Sequence, residues 1–196
     1  RGRCMGSAYW QVNDSNPVIS WSSIDYFGRW KGLHYYAKRF YAPCLISCDD
    51  TNRKKPVLNI SNERMTAFEG IVKWTLRNNK AEILQSGECV SLRGLAVNGR
   101  HFPALHGKAA PKEFTFLEPA ITYGISESED KFALTFCAEN YAKSVCLSLK
   151  TADCVFSDNW FDIHGKEPVT IMIDKASLSR KMTAQELSEE LEIMHN

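Results

Sequence analysis

Two-residue alternation of apolar and polar side chains is the main pattern of the chain after Pro43. Residues 72–77 alternate cleanly, which is typical of a half-buried strand. Asn78-Asn79 follows as a hairpin-type turn signal. Similar short apolar runs predict further strands, and together they predict a β-sandwich over residues 44–118. The predicted strands are Leu45–Ser47, Val57–Ile60, Ala67–Leu76, Glu88–Leu92 and Phe114–Leu117.

A second set of alternating runs begins near Pro119. It predicts a second β-sandwich over residues 119–196, with strands at Lys131–Ala138, Ser144–Leu149, Cys154–Phe156 and Val169–Ile173. Thr183 and Glu186 have the spacing of a capping box, which predicts the start of a helix. Its apolar stripe is Leu187, Leu191 and Met194.

The pattern before Pro43 is different. Residues 4–12 are small, apolar or aromatic and predict a buried strand, and the polar run 13–17 predicts a loop. A helical stripe ends at Pro43 and consists of Trp30, Leu33, His34, Ala37, Phe40 and Tyr41. Residues 1–43 therefore read as one strand–loop–helix unit, which cannot bury both faces of its strand alone.

Composition narrows the classes of function. The 196 residues carry 24 Lys and Arg against 23 Asp and Glu, a balance that argues against nucleic-acid or membrane binding. No apolar stretch reaches the roughly 18 residues of a membrane span. The chain starts without Met and enters an apolar run within five residues, so we expect it to be a piece of a longer protein.

The seven cysteines show no zinc-ligand spacing, and no metal site or cofactor is predicted. We expect free, mostly buried thiols in a reducing compartment, with one or two disulfides as the alternative. Asn13 and Asn59 match the N-glycosylation pattern. A glycan on Asn13 would stand in the sugar site predicted below, which favours a bacterial source and a cytoplasmic location.

The first 43 residues carry a specific motif. They resemble the eighth strand and helix of the barrel in family-2 glycoside hydrolases of the β-mannosidase branch, and residues 58–78 and 154–167 resemble the two sandwich domains that follow it. One departure is Ser15-Asn16, where the family pattern has an apolar or aromatic residue before Pro17. The matching residues are Tyr9-Trp10-Gln11, Asn13-Asp14, Pro17, Ser20-Trp21-Ser22-Ser23, Asp25-Tyr26, Gly28-Arg29-Trp30-Lys31, Leu33-His34-Tyr35 and Ala37-Lys38.

The resemblance implies a mainly β chain with two immunoglobulin-like sandwich domains (44–118 and 119–196), preceded by the final strand–loop–helix of a (β/α)8 barrel (1–43). It also implies a retaining exo-β-mannosidase that removes terminal β-linked mannose from oligosaccharides with two carboxyl groups. The family places these glutamates on barrel strands four and seven, upstream of this chain. We therefore expect no catalytic residue and no activity in the chain alone. Asn62-Glu63 and Glu139-Asn140 are interpreted as turn or edge residues.

Four residues are predicted to bind substrate. Barrel enzymes place their sites at the carboxyl ends of the strands, where Trp10 would offer a flat face to a sugar ring. Asn13 and Asp14 would bind sugar hydroxyls or fix the loop that does, and Gln11 is a weaker candidate. Trp21 and Trp30 are predicted to pack internally, and His34 to be a core or interface histidine with its hydrogen bonds satisfied.

Two other interpretations stay open. A non-catalytic pair of sandwiches would brace the barrel or bind carbohydrate, although Trp74 and Trp160 are predicted to be packing residues. A related sugar specificity, such as β-galactoside or glucosaminide, fits the motif less well. The strand in residues 1–43 would have open edges without the rest of the barrel. We therefore expect this unit to lie on the first sandwich, to swap with a neighbouring chain or to self-associate.

Overall fold

The computed structural model describes residues 6–49, 51, 57–64, 66, 70–89, 102–103 and 114–195. The chain is mainly β, as predicted. Its elements in chain order are α1 (Gly32–Phe40), β1 (Cys44–Asp49), β2 (Val57–Asn62), β3 (Val72–Arg77), β4 (Ile83–Cys89), β5 (Phe102–Pro103), β6 (Thr122–Glu127), β7 (Lys131–Cys137), β8 (Tyr141–Leu149), β9 (Phe161–His164), β10 (Val169–Asp174), α2 (Ala184–Glu190) and β11 (Leu191–Met194).

The core lies in the C-terminal sandwich, which is formed by the antiparallel sheets β10-β7-β6 and β11-β8-β9. In β7, every second side chain is buried, and Phe132, Leu134 and Phe136 are fully inaccessible. They share one cluster with residues of β8, β9 and β10, such as Val145 and Ile163. Burying this apolar surface between two sheets is the main stabilising contribution.

The end of the chain differs from the prediction. The capping box of Thr183 and Glu186 is present, so the predicted helix start is confirmed. The helix ends at Glu190, however, and Leu191–Met194 forms β11, paired with β8. The stripe that predicted a longer helix was misleading because pairing with β8 satisfies the backbone of residues 191–194 in the sheet. Leu191 is buried by this arrangement.

The strands between Pro43 and Phe114 form two smaller sheets, β1-β2-β5 and the β3–β4 hairpin. β1, β2 and β3 fall within or close to their predicted ranges, and the Asn78-Asn79 turn joins β3 to β4. The predicted strand Ala67–Leu76 overlaps β3 at residues 72–76. The predicted strand Glu88–Leu92 overlaps β4 only at residues 88–89, so most of β4 was not predicted. Residues 67–69 and 90–92 lie outside the described residues.

Two predicted strands in the second half are wrong. Phe114–Leu117 forms no ladder; its two Phe rings instead pack around the ring of Tyr141 at centroid distances of 5.8 and 6.2 Å. Cys154–Phe156 has only the isolated bridge from Phe156 to Ile173. β6 and β9 are strands of the C-terminal sandwich that were not predicted.

Residues 6–12 do not form the predicted strand, and Cys4 and Met5 lie outside the described residues. A strand requires a neighbour with a free edge. Here the backbone around Val12 pairs instead with the bend at Ser23 and Ile24, and the isolated bridge from Asn13 to Ile24 is parallel. The segment is therefore an extended chain held by its own loop.

Helix α1 packs on the C-terminal sandwich, an arrangement that was not among the three alternatives given above. Tyr35 is 1% exposed and belongs to the core cluster, and Trp30 packs against it. Burial raises the pKa of Tyr35 to about 12. A Cβ added to Gly32 would lie 3.0 Å from the Trp160 ring, so the absence of a side chain permits this close approach.

Candidate functional site

The candidate site is the loop that carries the predicted substrate residues, defined here as the Trp10 loop (residues 9–31). Its two arms are joined by backbone hydrogen bonds. Ile24 N–H donates to Val12 O at 2.8 Å, and Asp14 N–H donates to Ile24 O at 3.1 Å. The Trp10–Gln11 peptide bond is cis. The polar sequence around Ser22-Ser23 thus forms a bend that fixes the arm from Gln11 to Asp14.

Asp14 is the buried charge of this loop. Its carboxylate accepts hydrogen bonds from Ser20 Oγ, from Ser22 Oγ at 2.6 Å and from Lys31 Nζ at 3.1 Å. The hydrogen bonds from Ser20 and Ser22, followed by the interaction with Lys31, lower the pKa of Asp14 from 3.8 to about 2. Asp14 is therefore ionised at neutral pH, and it ties three parts of the loop together.

Ser23 is fully buried and is the centre of a second set of hydrogen bonds in the Trp10 loop. Its Oγ donates to Val12 O at 3.0 Å and lies 3.0 Å from His34 Nδ1 and 3.1 Å from Tyr9 Oη. A hydroxyl has one donor and two acceptor positions, so His34 Nδ1–H and Tyr9 O–H are the donors to Ser23. All three positions of this hydroxyl are occupied.

The four predicted substrate residues separate by exposure. Trp10 is 75% exposed, and Asn13 is also exposed, with its Nδ2 3.4 Å from Asp14 O. Gln11 is half-buried, and Asp14 is buried in the network above. The loop therefore presents an indole and an amide at its surface and holds its carboxylate inside.

The predictions for the other aromatic residues of this region have different outcomes. Trp21 was predicted to pack, and this is wrong because its ring is 79% exposed on the outer side of the loop. Trp30 packs on the core cluster, as predicted. His34 is half-buried and hydrogen-bonded to Ser23. The centroids of its ring and the Trp30 ring are 4.3 Å apart. The prediction of an interface histidine with satisfied hydrogen bonds is confirmed.

Sequence reasoning missed the residues that support the loop. Ser20, Ser22 and Lys31 belong to the motif, but the sequence analysis assigned them no role. Serine hydroxyls together with a lysine are suitable donors to a buried carboxylate. Arg39 was missed too. Its guanidinium donates to Asp158 Oδ1 at 2.6 Å, Asn159 O at 2.5 Å and Trp160 O at 3.1 Å, joining α1 to the C-terminal sandwich.

Trp74, Trp160 and Glu63 have the structural roles that were predicted for them. Trp74 covers Gly87 of the neighbouring strand, and Trp160 lies on Gly32. Glu63 is exposed just after β2, where Asn62 Oδ1 accepts a turn hydrogen bond from Arg64 N–H. Cys44, Cys48, Cys137, Cys146 and Cys154 are free thiols. Among the described residues, no cluster of three or more His, Cys, Asp or Glu could hold a metal, and no helix is long and apolar enough to cross a membrane.

Comparison with known proteins gives this geometry a family context. Residues 116–196 match the Ig_mannosidase family model, which is described as an Ig-fold domain. Over 45 residues, or 23% of this chain, the sequence is 56% identical to a β-mannosidase of Capra hircus and 47% identical to β-mannosidase A of Aspergillus clavatus. The resemblance to β-mannosidases is confirmed.

The fold agrees with a solved β-mannosidase as well. The crystal structure of the β-D-mannosidase from Dictyoglomus thermophilum superposes with a TM-score of 0.74 over 95% of this chain, at 19% sequence identity. This likeness, with the Ig-fold match, confirms the predicted fold class. The chain matches only 5% of the length of each of the two curated β-mannosidases and 25% of the solved chain.

Proposed function

We propose that the chain is the C-terminal part of a glycoside hydrolase that resembles the β-mannosidases. Its three units would be the last strand–loop–helix of the barrel (1–43) and two sandwiches (44–118 and 119–196). The parent enzyme would remove terminal β-linked mannose from oligosaccharides by a retaining, two-carboxylate mechanism. The observation that carries this proposal is the 56% identity to a named β-mannosidase over 45 residues.

Within this proposal, Trp10 is the sugar platform. Its exposed indole offers a flat apolar face, and its N–H can reach a hydroxyl. Asn13 has an exposed amide for a second hydroxyl, and Gln11 lies beside both. Asp14 Oδ1 accepts from Ser20 Oγ, and its Oδ2 accepts from Ser22 Oγ and Lys31 Nζ. Its role is therefore to fix the loop and not to contact substrate.

The test is hydrolysis of a chromogenic β-mannoside by this chain and by the full-length parent. We expect activity in the parent and none in the chain, because both catalytic carboxylates are expected upstream. Activity in the chain would require a carboxylate pair within these 196 residues, and Glu63 would be the first to replace.

The Trp10 role is tested in the parent with Trp10→Ala and a matched control, Trp21→Ala, which removes an equally exposed ring from the same loop. Losing an aromatic contact of about 1.4 kcal/mol predicts about a tenfold fall in kcat/KM for Trp10→Ala. Trp21→Ala should stay within about twofold of the unmodified enzyme. Equal losses in the two variants would contradict the platform role.

A bracing role for the C-terminal sandwich is a second candidate, compatible with the first. It is favoured by the three hydrogen bonds from Arg39 and by the burial of Tyr35 in the sandwich core. Binding of carbohydrate by the sandwiches is less well supported, since the rings of Trp74 and Trp160 pack against glycines. Retention of this chain on an immobilised mannan column would favour binding, and passage without retardation would favour bracing.

A further inference from the structure

The arm that carries Trp10 depends on Ser23 for its position. No ladder holds residues 9–12, and Val12 O receives three donors from the bend: Ser23 Oγ at 3.0 Å, Ser23 N–H at 3.1 Å and Ile24 N–H at 2.8 Å. Two of these come from one fully buried serine. A displacement of Ser23 would therefore move the backbone immediately after Trp10.

Ser23 is in turn attached to helix α1. Its Oγ accepts from His34 Nδ1–H at 3.0 Å, and its carbonyl accepts from Lys31 N–H at 2.8 Å. His34 contacts the ring of Trp30, which packs on Tyr35 at 5.3 Å. The hydroxyl, the imidazole and the two rings make a continuous set of contacts from the loop into the core cluster.

The C-terminal sandwich fixes helix α1 from the other side. Arg39 donates to three groups of the segment 158–160, and Lys38 Nζ donates to Ser157 O at 2.7 Å. Gly32 lies against the Trp160 ring at the opposite end of the helix. Because both ends of α1 contact residues 157–160, this segment determines where His34 stands.

We infer that the segment 157–160 of the C-terminal sandwich positions the Trp10 arm through α1, with Arg39 and His34 as positioning residues. The inference rests on the proposed function for its effect on sugar hydrolysis, but the mechanical coupling is independent of it. The sandwich thereby becomes a determinant of substrate binding although it does not itself touch the sugar.

Hydrogen exchange of the 196-residue chain tests the coupling without any activity. Arg39→Met and His34→Leu should each lower the protection of the amides of Asp14, Ser23 and Ile24 about fivefold, the effect of losing a hydrogen bond of about 1 kcal/mol. His34→Asn retains a donor near the Nδ1 position and should restore most of the protection. Arg180→Met is the matched control. It breaks the ion pair between Arg180 and Glu190, which has an N–O distance of 2.8 Å and does not involve α1.

In the full-length parent, the same substitutions should raise KM for a β-mannoside about fivefold and change kcat less. Unchanged protection of the Asp14, Ser23 and Ile24 amides in both Arg39→Met and His34→Leu would overturn the inference. So would an equal loss of protection across β7 and β8, because that result means general unfolding. If the parent lacks β-mannosidase activity, the proposed function fails, and the exchange result still judges the coupling.

Discussion

Asn159 is the residue whose replacement most directly tests the account of the C-terminal sandwich. It is 4% exposed, and its carbonyl oxygen accepts a hydrogen bond from Arg39. Its Oδ1 accepts from Leu147 N–H, its Nδ2 donates to Leu147 O, and Oδ1 also accepts from Trp160 N–H, each at 2.8 Å. The side-chain amide therefore acts as a short piece of strand that pairs with β8.

Asn159→Ala removes all three bonds and leaves both backbone groups of Leu147 buried without a partner. Each unpaired group costs about 1–3 kcal/mol, so we expect the two to lower the free energy of unfolding by about 2–6 kcal/mol. That is a large share of the roughly 5–15 kcal/mol of a typical domain. Urea denaturation at 25 °C, followed by far-UV circular dichroism and tryptophan emission, measures it.

Asn159→Asp keeps the shape but places a carboxylate oxygen against Leu147 O. Burial and this carbonyl raise the pKa of the new carboxyl group above its unfolded value of about 3.9. A protonated acid can donate to Leu147 O, so the deficit is smallest below the unfolded pKa and grows as pH rises through the folded pKa. The Asp variant should therefore approach the unmodified protein between pH 7 and pH 4.5, while the Ala variant should not.

Asn140→Ala is the control, because Asn140 makes one hydrogen bond, to Glu118 O at 2.7 Å, in a more exposed position. It should cost less than about 1 kcal/mol. The reasoning is refuted if Asn159→Ala costs no more than this control, or if the deficit of Asn159→Asp does not change with pH.

Two further predictions concern the loop and the hairpin. The pKa of Asp14 is lowered to about 2, so its contribution to loop stability is present above the unfolded pKa near 3.8 and is lost as pH falls toward 2. Hydrogen-exchange protection factors for residues 12–24 should fall over the same pH range. In Asp14→Asn they should not change with pH. Gly87→Ala would place a Cβ 2.5 Å from the Trp74 ring, so the ring should be displaced and the tryptophan emission should shift to the red. Gly124→Ala, with nothing within 4 Å, should leave the emission unchanged; a similar shift in both variants would contradict this packing.

Alternation predicted the strands that bury one face and failed elsewhere. β7 and β10 have every second side chain buried, and both were found close to their observed bounds. β6 was missed although Tyr123 and Ile125 alternate with Thr122, Gly124 and Ser126. In the structure only Ile125 of this strand is partly buried. β11 follows directly from a capped helix and shares its apolar stripe, and only the register with β8 distinguishes the two conformations.

The sequence predicted candidate residues for the site but not how their side chains meet. The motif pointed to Trp10, Asn13 and Asp14 through the resemblance, and their roles remain predictions. Whether Asp14 faces substrate or its own loop depends on Ser20, Ser22 and Lys31 meeting in space, which spacing alone does not show. The exposure of Trp21, like that of Trp10, is a property of the folded loop that the sequence neighbours do not show.

The pairing of β11 with β8 has an entropic consequence. Leu149 and Leu191 are partners across roughly 40 residues, whereas β6 and β7 are joined by a tight turn. Closing a loop about ten times longer costs about 2 kcal/mol more in chain entropy. The capping box restricts the chain just before β11, and Leu187 and Leu191 are buried as the loop closes. Helix α2 thus offsets part of the entropy lost when the most distant strand of the sandwich joins its sheet.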